Sequence, residues 1–146
     1  MPPVPSRDLR SGPRTAIIDA DRRVQQSLAE VLGLTGRVRV VGCAGDVRQG
    51  LELVEREHPD VVIVDPRLPD LAAGESFLSG VRLAWPATQI VITGWGDRRE
   101  QPAIAERAAT FVSKSGLPEQ FVAAVVEACC GPVDAPLGAY PSPTEA

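Results

Sequence analysis

Val61-Val-Ile-Val64 is a run of four consecutive β-branched residues. Such a run cannot be one face of an amphipathic helix, and it predicts a strand covered on both sides, as strands are inside a parallel sheet. Asp65 stands where that strand stops. In open α/β sheets ligands bind outside the carboxyl ends of the strands, so this carboxylate is placed at the edge where chemistry is done. Pro66 and Pro69 keep the following segment extended, so the next helix cannot begin at once.

Around this run, strands alternate with helices five times. Residues 15–18 lead into Asp19 as a first strand, and Val24, Leu28, Val31 and Leu32 recur at the spacing of one buried helical stripe. Residues 37–44 predict the second strand. Asp46 and Gln49 have the spacing of a capping box that opens a helix through Leu51 and Val54, ending before Pro59. Residues 74–85 predict the third helix, with Phe77, Val81 and Trp85 along one side and Pro86 as its stop. Residues 88–92 predict the fourth strand, with Thr93 and Gly94 at its end. Pro102 suits a first helical position, which predicts a short fourth helix to about residue 109. Residues 110–113 form a fifth strand ending at Lys114, and Pro118 opens a fifth helix whose apolar side is Leu117, Phe121, Ala124, Val125 and Ala128. Alternating βα units of this length require parallel strands with right-handed crossovers, so helices cover both faces of a single sheet. The predicted class is α/β, a doubly wound three-layer sandwich.

The chain of 146 residues fits one domain with a real core. The ends, residues 1–13 and 131–146, are rich in proline and poor in apolar side chains, and are expected to be loose tails flanking a domain over residues 14–130. A net charge of −4 argues against a general nucleic-acid or membrane-surface binder. Three cysteines, Cys43, Cys129 and Cys130, form no CxxC and have one histidine to join them, so neither a zinc site nor a disulfide framework is indicated. A reducing cytoplasmic setting is the simplest one. No apolar run approaches membrane-spanning length, and prolines stand where a signal peptide would have its apolar stretch.

The parallel order puts one set of polar residues at one edge: Asp19 and Asp21 after the first strand, Asp65 after the third, Thr93 after the fourth and Lys114 after the fifth. Carboxylates, a hydroxyl and an ammonium converging there suit a hard divalent cation and a phosphoryl group. A carboxylate attacking a phosphorus needs the charge of the phosphoryl oxygens neutralised, which Mg²⁺ and Lys114 would do. Thr93 would supply a donor, and Gly94 leaves the approach open while its N–H points at the phosphate.

These pieces, Ile17-Ile18-Asp19, Pro59-Asp60-Val-Val-Ile-Val-Asp65 with Pro69 four residues on, Ile90-Val-Ile-Thr93-Gly94 and Phe111-Val-Ser-Lys114, resemble the CheY-like receiver domain of two-component response regulators. The resemblance covers roughly residues 14 to 130. It implies a five-stranded sheet of order 2-1-3-4-5 and transfer of a phosphoryl group to Asp65 from a histidine kinase or phosphotransfer protein. It also implies Mg²⁺ held by Asp19, Asp65 and the backbone carbonyl of Arg67. Lys114, Thr93 and Gly94 would bind the phosphate. Thr93 and Phe111 match the switch pair, which alters the face of the fourth helix, fifth strand and fifth helix for a downstream protein or a second copy of the chain. Val40-Val-Gly42 resembles receivers that carry a DNA-binding helix-turn-helix, but no such output domain follows, so direct nucleic-acid binding is not expected.

The pattern also departs from the family. Receivers place two adjacent acids after the first strand, and here the second position is Ala20, with Asp21 the nearest replacement. Weakened Mg²⁺ binding follows, and with it an alternative reading: a degenerate receiver that binds a partner without phosphorylation. Gly74 also comes one residue late. Asp21 has a second reading as the cap of the first helix, and His58 as a partner of a helix C-terminus. Asp19-Ala20-Asp21 imitates the start of haloacid-dehalogenase-type phosphatases, but Arg23 stands where that family has Thr or Val, and there is no room for a cap domain. The chain is expected not to be an enzyme.

Overall fold

The computed structural model describes residues 12–96 and 110–130. In chain order these form β1 (Arg14–Ile18), α1 (Arg22–Thr35), β2 (Arg39–Ala44), α2 (Val47–Glu57), β3 (Val61–Val64), α3 (Leu71–Ala84), β4 (Gln89–Gly94), β5 (Thr110–Ser113) and α4 (Pro118–Cys130). The short helix expected over residues 102–109 lies outside the described residues, as do both expected tails apart from Gly12 and Pro13. The helix labelled α4 is therefore the fifth of the sequence reading.

The strands form one five-stranded sheet in the order β2-β1-β3-β4-β5, with every neighbouring pair parallel. The chain starts at β1, steps outward to β2, then returns past β1 to β3. That reversal of direction opens a crevice at the carboxyl ends of β1 and β3. Asp19 and Asp65 follow those two strands.

The β-branched run of β3 is fully buried at all four positions. Its alternation divides it between two cores. Val62 and Val64, with Ala16, Ile18, Ile90 and Ile92, face Leu53 and Val54 of α2 and Phe77, Leu78 and Val81 of α3. Val61 and Ile63, with Ile17, Val91 and Val112, face Leu32 of α1 and Phe121, Val122 and Val125 of α4. Burying each such side chain contributes about 1.5–3 kcal/mol, so the central strand is pinned from both sides.

Aspartate caps fix where three helices begin. Asp21, Asp46 and Asp70 accept hydrogen bonds from Arg23, Gln49 and Ala73 N–H groups at the starts of α1, α2 and α3. Each cap contributes about 1 kcal/mol. Gln49 Oε1 also accepts from Gly45 N–H at 3.2 Å, which completes the anticipated capping box one residue further out. α1 stops at Gly36 and α2 at His58, both in the left-handed region.

Several boundaries differ from the sequence reading. The third helix begins at Leu71, three residues earlier than expected, because Asp70 caps it. Gly74 therefore lies inside the helix against the loop after β3, where an added Cβ would sit 1.6 Å from the Pro66 carbonyl oxygen. β4 continues through Thr93 and Gly94, and β2 starts at Arg39. Leu117 precedes α4 and is 64% exposed, so it is not part of the buried side. On α1, Leu32 is buried, whereas Val24, Leu28 and Val31 are half-buried and line a groove with Phe121.

Candidate functional site

Asp19, Asp65 and Lys114 leave the carboxyl ends of β1, β3 and β5, and their side chains meet. Lys114 Nζ lies 2.6 Å from Asp19 Oδ2 and 2.6 Å from Asp65 Oδ2. Each carboxylate uses its other oxygen to accept a backbone N–H two residues on: Asp21 N–H at 2.8 Å for Asp19 and Arg67 N–H at 3.0 Å for Asp65. The backbone fixes all three residues through neighbouring strands. Asp19 N–H donates to Ala44 O, Asp65 N–H to Ile18 O and Lys114 N–H to Gly94 O.

The three side chains are 4%, 9% and 5% exposed. In so poorly solvated a site the charges interact strongly. Burial pushes the Lys114 ammonium toward losing its proton, but its hydrogen bonds to Asp19 and Asp65 and their negative charges outweigh this and hold its pKa above the ordinary lysine value. The ring of Trp95 covers the same ammonium, 5.5 Å from Nζ to centroid, at cation–π distance. Trp95 is 63% exposed and stands at the mouth of the site.

Thr93 is buried at the same edge, but its hydroxyl donates to the Val112 carbonyl, 2.7 Å away on β5, and not into the acidic pocket. Phe111 pairs with Ile92 across the β4–β5 ladder and packs half-buried against the core beneath α2 and α3. Gly94 ends β4 and is buried. Arg67 is exposed and supplies its N–H to Asp65. Asp21 is exposed, and its Oδ1 accepts from Arg23 N–H, as a helix cap does. His58 is exposed and terminates α2. Cys43 is exposed, and its thiol donates to the Gln25 carbonyl at 3.9 Å.

Of the anticipated residues, the structure thus brings Asp19, Asp65 and Lys114 into direct contact and turns the Thr93 hydroxyl to the Val112 carbonyl instead. Sequence reasoning missed the bridging role of Lys114, the Val112 carbonyl that holds Thr93, and the ring of Trp95 over the ammonium. The strand order carried a signal for the second, since neighbouring β4 and β5 must bring Thr93 beside Val112.

Mg²⁺ takes near-octahedral oxygen ligands. Here two carboxylates are present, their inward oxygens share one ammonium, and Ala20 offers no side-chain oxygen. Among the described residues no group of three or more His, Cys, Asp or Glu side chains could hold a metal ion. As arranged, the pocket does not fit Mg²⁺, although receiver domains generally bind it at this place.

A doubly wound five-stranded sheet with buried acids and a lysine at its switch point defines a class of phosphoryl-signalling domains. Residues 15–126 match the family model described as the response regulator receiver domain, and the chain belongs to that family. Receiver domains are signalling modules and not enzymes.

Among solved structures, the chain is similar to the signal receiver domain of NarL from Mycobacterium tuberculosis. That match has 30% identity and a TM-score of 0.70, covering 83% of this chain and 98% of that one. It is also similar to the response regulator domain of Thermotoga maritima CheB, at 20% identity with a TM-score of 0.69, over 81% of this chain and 96% of that one. Among curated proteins, it is 27% identical over 135 residues to protein-glutamate methylesterase/protein-glutamine glutaminase 2 of Methanosarcina mazei, covering 90% of this chain and 36% of that protein. The chain spans roughly a third or less of the first three such relatives, 36%, 34% and 24% of their lengths. Among the described residues no helix is long and apolar enough to cross a membrane.

Proposed function

We propose that Asp65 accepts a phosphoryl group from the phosphohistidine of a histidine kinase or phosphotransfer protein. One Asp65 oxygen forms a bond to phosphorus as the bond from phosphorus to the imidazole nitrogen breaks. The electron pair stays on that nitrogen, and the ring, which carries a proton on its other nitrogen, leaves as neutral imidazole. The observation that carries this reading is the ammonium of Lys114, 2.6 Å from Asp65 Oδ2, where it would neutralise an incoming phosphoryl oxygen.

On this reading the Thr93 hydroxyl leaves the Val112 carbonyl to donate to the phosphoryl group, Phe111 follows it inward, and the Gly94 N–H faces another phosphoryl oxygen. The changed face, formed by the fourth helix of the sequence reading, β5 and α4, then meets a downstream protein or a second copy of the chain. One added charge biases two arrangements of the same elements. A cytoplasmic location follows from such a donor.

Borohydride reduces an aspartyl phosphate to homoserine, so peptide mapping after treatment with acetyl phosphate locates the acceptor. Homoserine at position 65 is the expected result, and reduction at another aspartate would overturn the assignment.

A second reading has its own observation. Lys114 already bridges two acids and Thr93 is already held, so the pocket is internally satisfied. A phosphorylation-independent binding module would keep its partner when Asp65 is replaced by Asn, whereas the phosphoacceptor would lose phosphate-dependent binding.

A further inference from the structure

α1 and α4 each start after the carboxyl end of a strand, β1 and β5, and run back over the same face of the sheet. Between their first halves lies a groove walled by Val24, Leu28 and Val31 of α1 and by Pro118 and Phe121 of α4, with Trp95 at its mouth. The three α1 side chains are half-buried and Trp95 is 63% exposed. The groove measures about 280 Å³, below the ~300–1,000 Å³ of small-molecule sites, and suits a few side chains of an extended segment better than an enclosed ligand.

The chain carries such a segment within reach. Residues 131–146 follow α4 and hold Pro132, Pro136, Pro141 and Pro143, with Val133, Leu137 and Tyr140 as their large apolar side chains. Prolines at this frequency favour the extended polyproline helix, and segments of that form dock in grooves lined by aromatic rings. From Phe121 to the end of α4 at Cys130 the helix rises about 14 Å. A segment turning back at Gly131-Pro132 and advancing ~3 Å per residue covers that distance by Leu137 and reaches the Trp95 end by Tyr140. Charge chooses between the two ends of the chain. Arg22 and Arg23 are exposed immediately before Val24, and residues 131–146 contain Asp134 and Glu145 with no Lys or Arg, whereas residues 1–11 carry Arg7 and Arg10.

We propose that residues 132–141 pack back into the α1–α4 groove, with Leu137 against Leu28, Val31 and Phe121 and the Tyr140 ring against Val24 and Trp95. A short tether holds the segment at an effective concentration of roughly millimolar, so a contact too weak to keep a free peptide is populated within the chain. The groove is then covered in the resting chain, and a protein partner that uses this face must first displace the segment. The role of Asp65 is independent of this contact.

Tyr140 is the chain's single tyrosine, so its ring protons are an unambiguous NMR reporter. In the full chain, nuclear Overhauser contacts are expected from the Tyr140 ring to methyl groups of Val24, Leu28 or Val31. Ser27 is exposed and borders the groove, so Ser27→Arg obstructs it without touching the core. Those contacts are expected to disappear in Ser27→Arg and in Leu137→Asp, with the rest of the amide spectrum retained. Contacts confined to the sequence neighbours of Tyr140, contacts to α3 instead, or contacts unchanged in both variants would overturn the proposal. So would contacts that arise only between differently labelled copies of the chain, which would make a second copy the occupant.

Discussion

The Thr93 hydroxyl donates to the carbonyl of Val112, 2.7 Å away across the last two strands of the sheet, in a part of the site closed to water. A hydroxyl so held must break a buried hydrogen bond before it can serve a phosphoryl group. Thr93→Val keeps the shape and removes the donor, leaving the Val112 carbonyl short of a partner. Chemical denaturation is expected to show a loss of about 1–3 kcal/mol. Thr93→Ser, which retains the donor, should recover most of it. Equal stability of Thr93→Val and the native chain would show that the bond contributes nothing.

Lys114 and Asp65 are not equivalent partners. Lys114→Met leaves two buried carboxylates facing each other and is expected to cost about 3–5 kcal/mol in the absence of metal. Asp65→Asn leaves Asp19 and Lys114 as a neutral pair and should cost clearly less. Urea denaturation of the two variants under identical conditions gives the order, and the reverse order would contradict the charge balance described for the pocket.

Two helical glycines predict opposite outcomes. Gly74 faces the backbone of Pro66, and a Cβ there would come within 1.6 Å of a carbonyl oxygen, so Gly74→Ala must move α3 or the loop that carries the N–H held by Asp65. Its expected cost is about 2–3 kcal/mol. Gly33 in α1 has open space where a Cβ would go, so Gly33→Ala should stabilise by about 0.5–1 kcal/mol. Thermal melts of both variants test the packing of α3 against the site.

Trp95 reports on Lys114 through the 5.5 Å separation of ring and ammonium. Phosphorylation of Asp65 would draw the ammonium toward phosphoryl oxygens and alter that contact. Emission from a Trp85→Phe chain, in which Trp95 is the remaining tryptophan, is expected to change with beryllofluoride as a phosphoryl mimic. An unchanged spectrum in a chain shown by mass spectrometry to carry the mimic would mean that Lys114 stays where it is.

The sheet was legible because its central strand is buried on both faces, and that condition imposes a β-branched run with no polar position. The edge residues Asp19, Asp65, Thr93 and Lys114 followed from strand polarity alone, since parallel strands end on one side. The start of α3 was not legible. Asp70 follows Pro69, and an aspartate after a proline reads equally as a turn or a cap until the Ala73 N–H is seen on its side chain. Leu117 was misplaced because apolar spacing cannot tell the first buried residue of a helix from an exposed one just outside it. The salt bridges of Lys114 lay beyond the sequence for another reason. A long flexible side chain can reach either acid or water, and the depth of the pocket, not the order of residues, decides among them.

The central claim, that Asp65 is the group that takes up phosphate, is tested most directly by the intact mass of the chain after incubation with acetyl phosphate. The native chain is expected to gain the mass of one phosphoryl group, and Asp65→Asn none. No gain in the native chain, or the same gain in both, would contradict it.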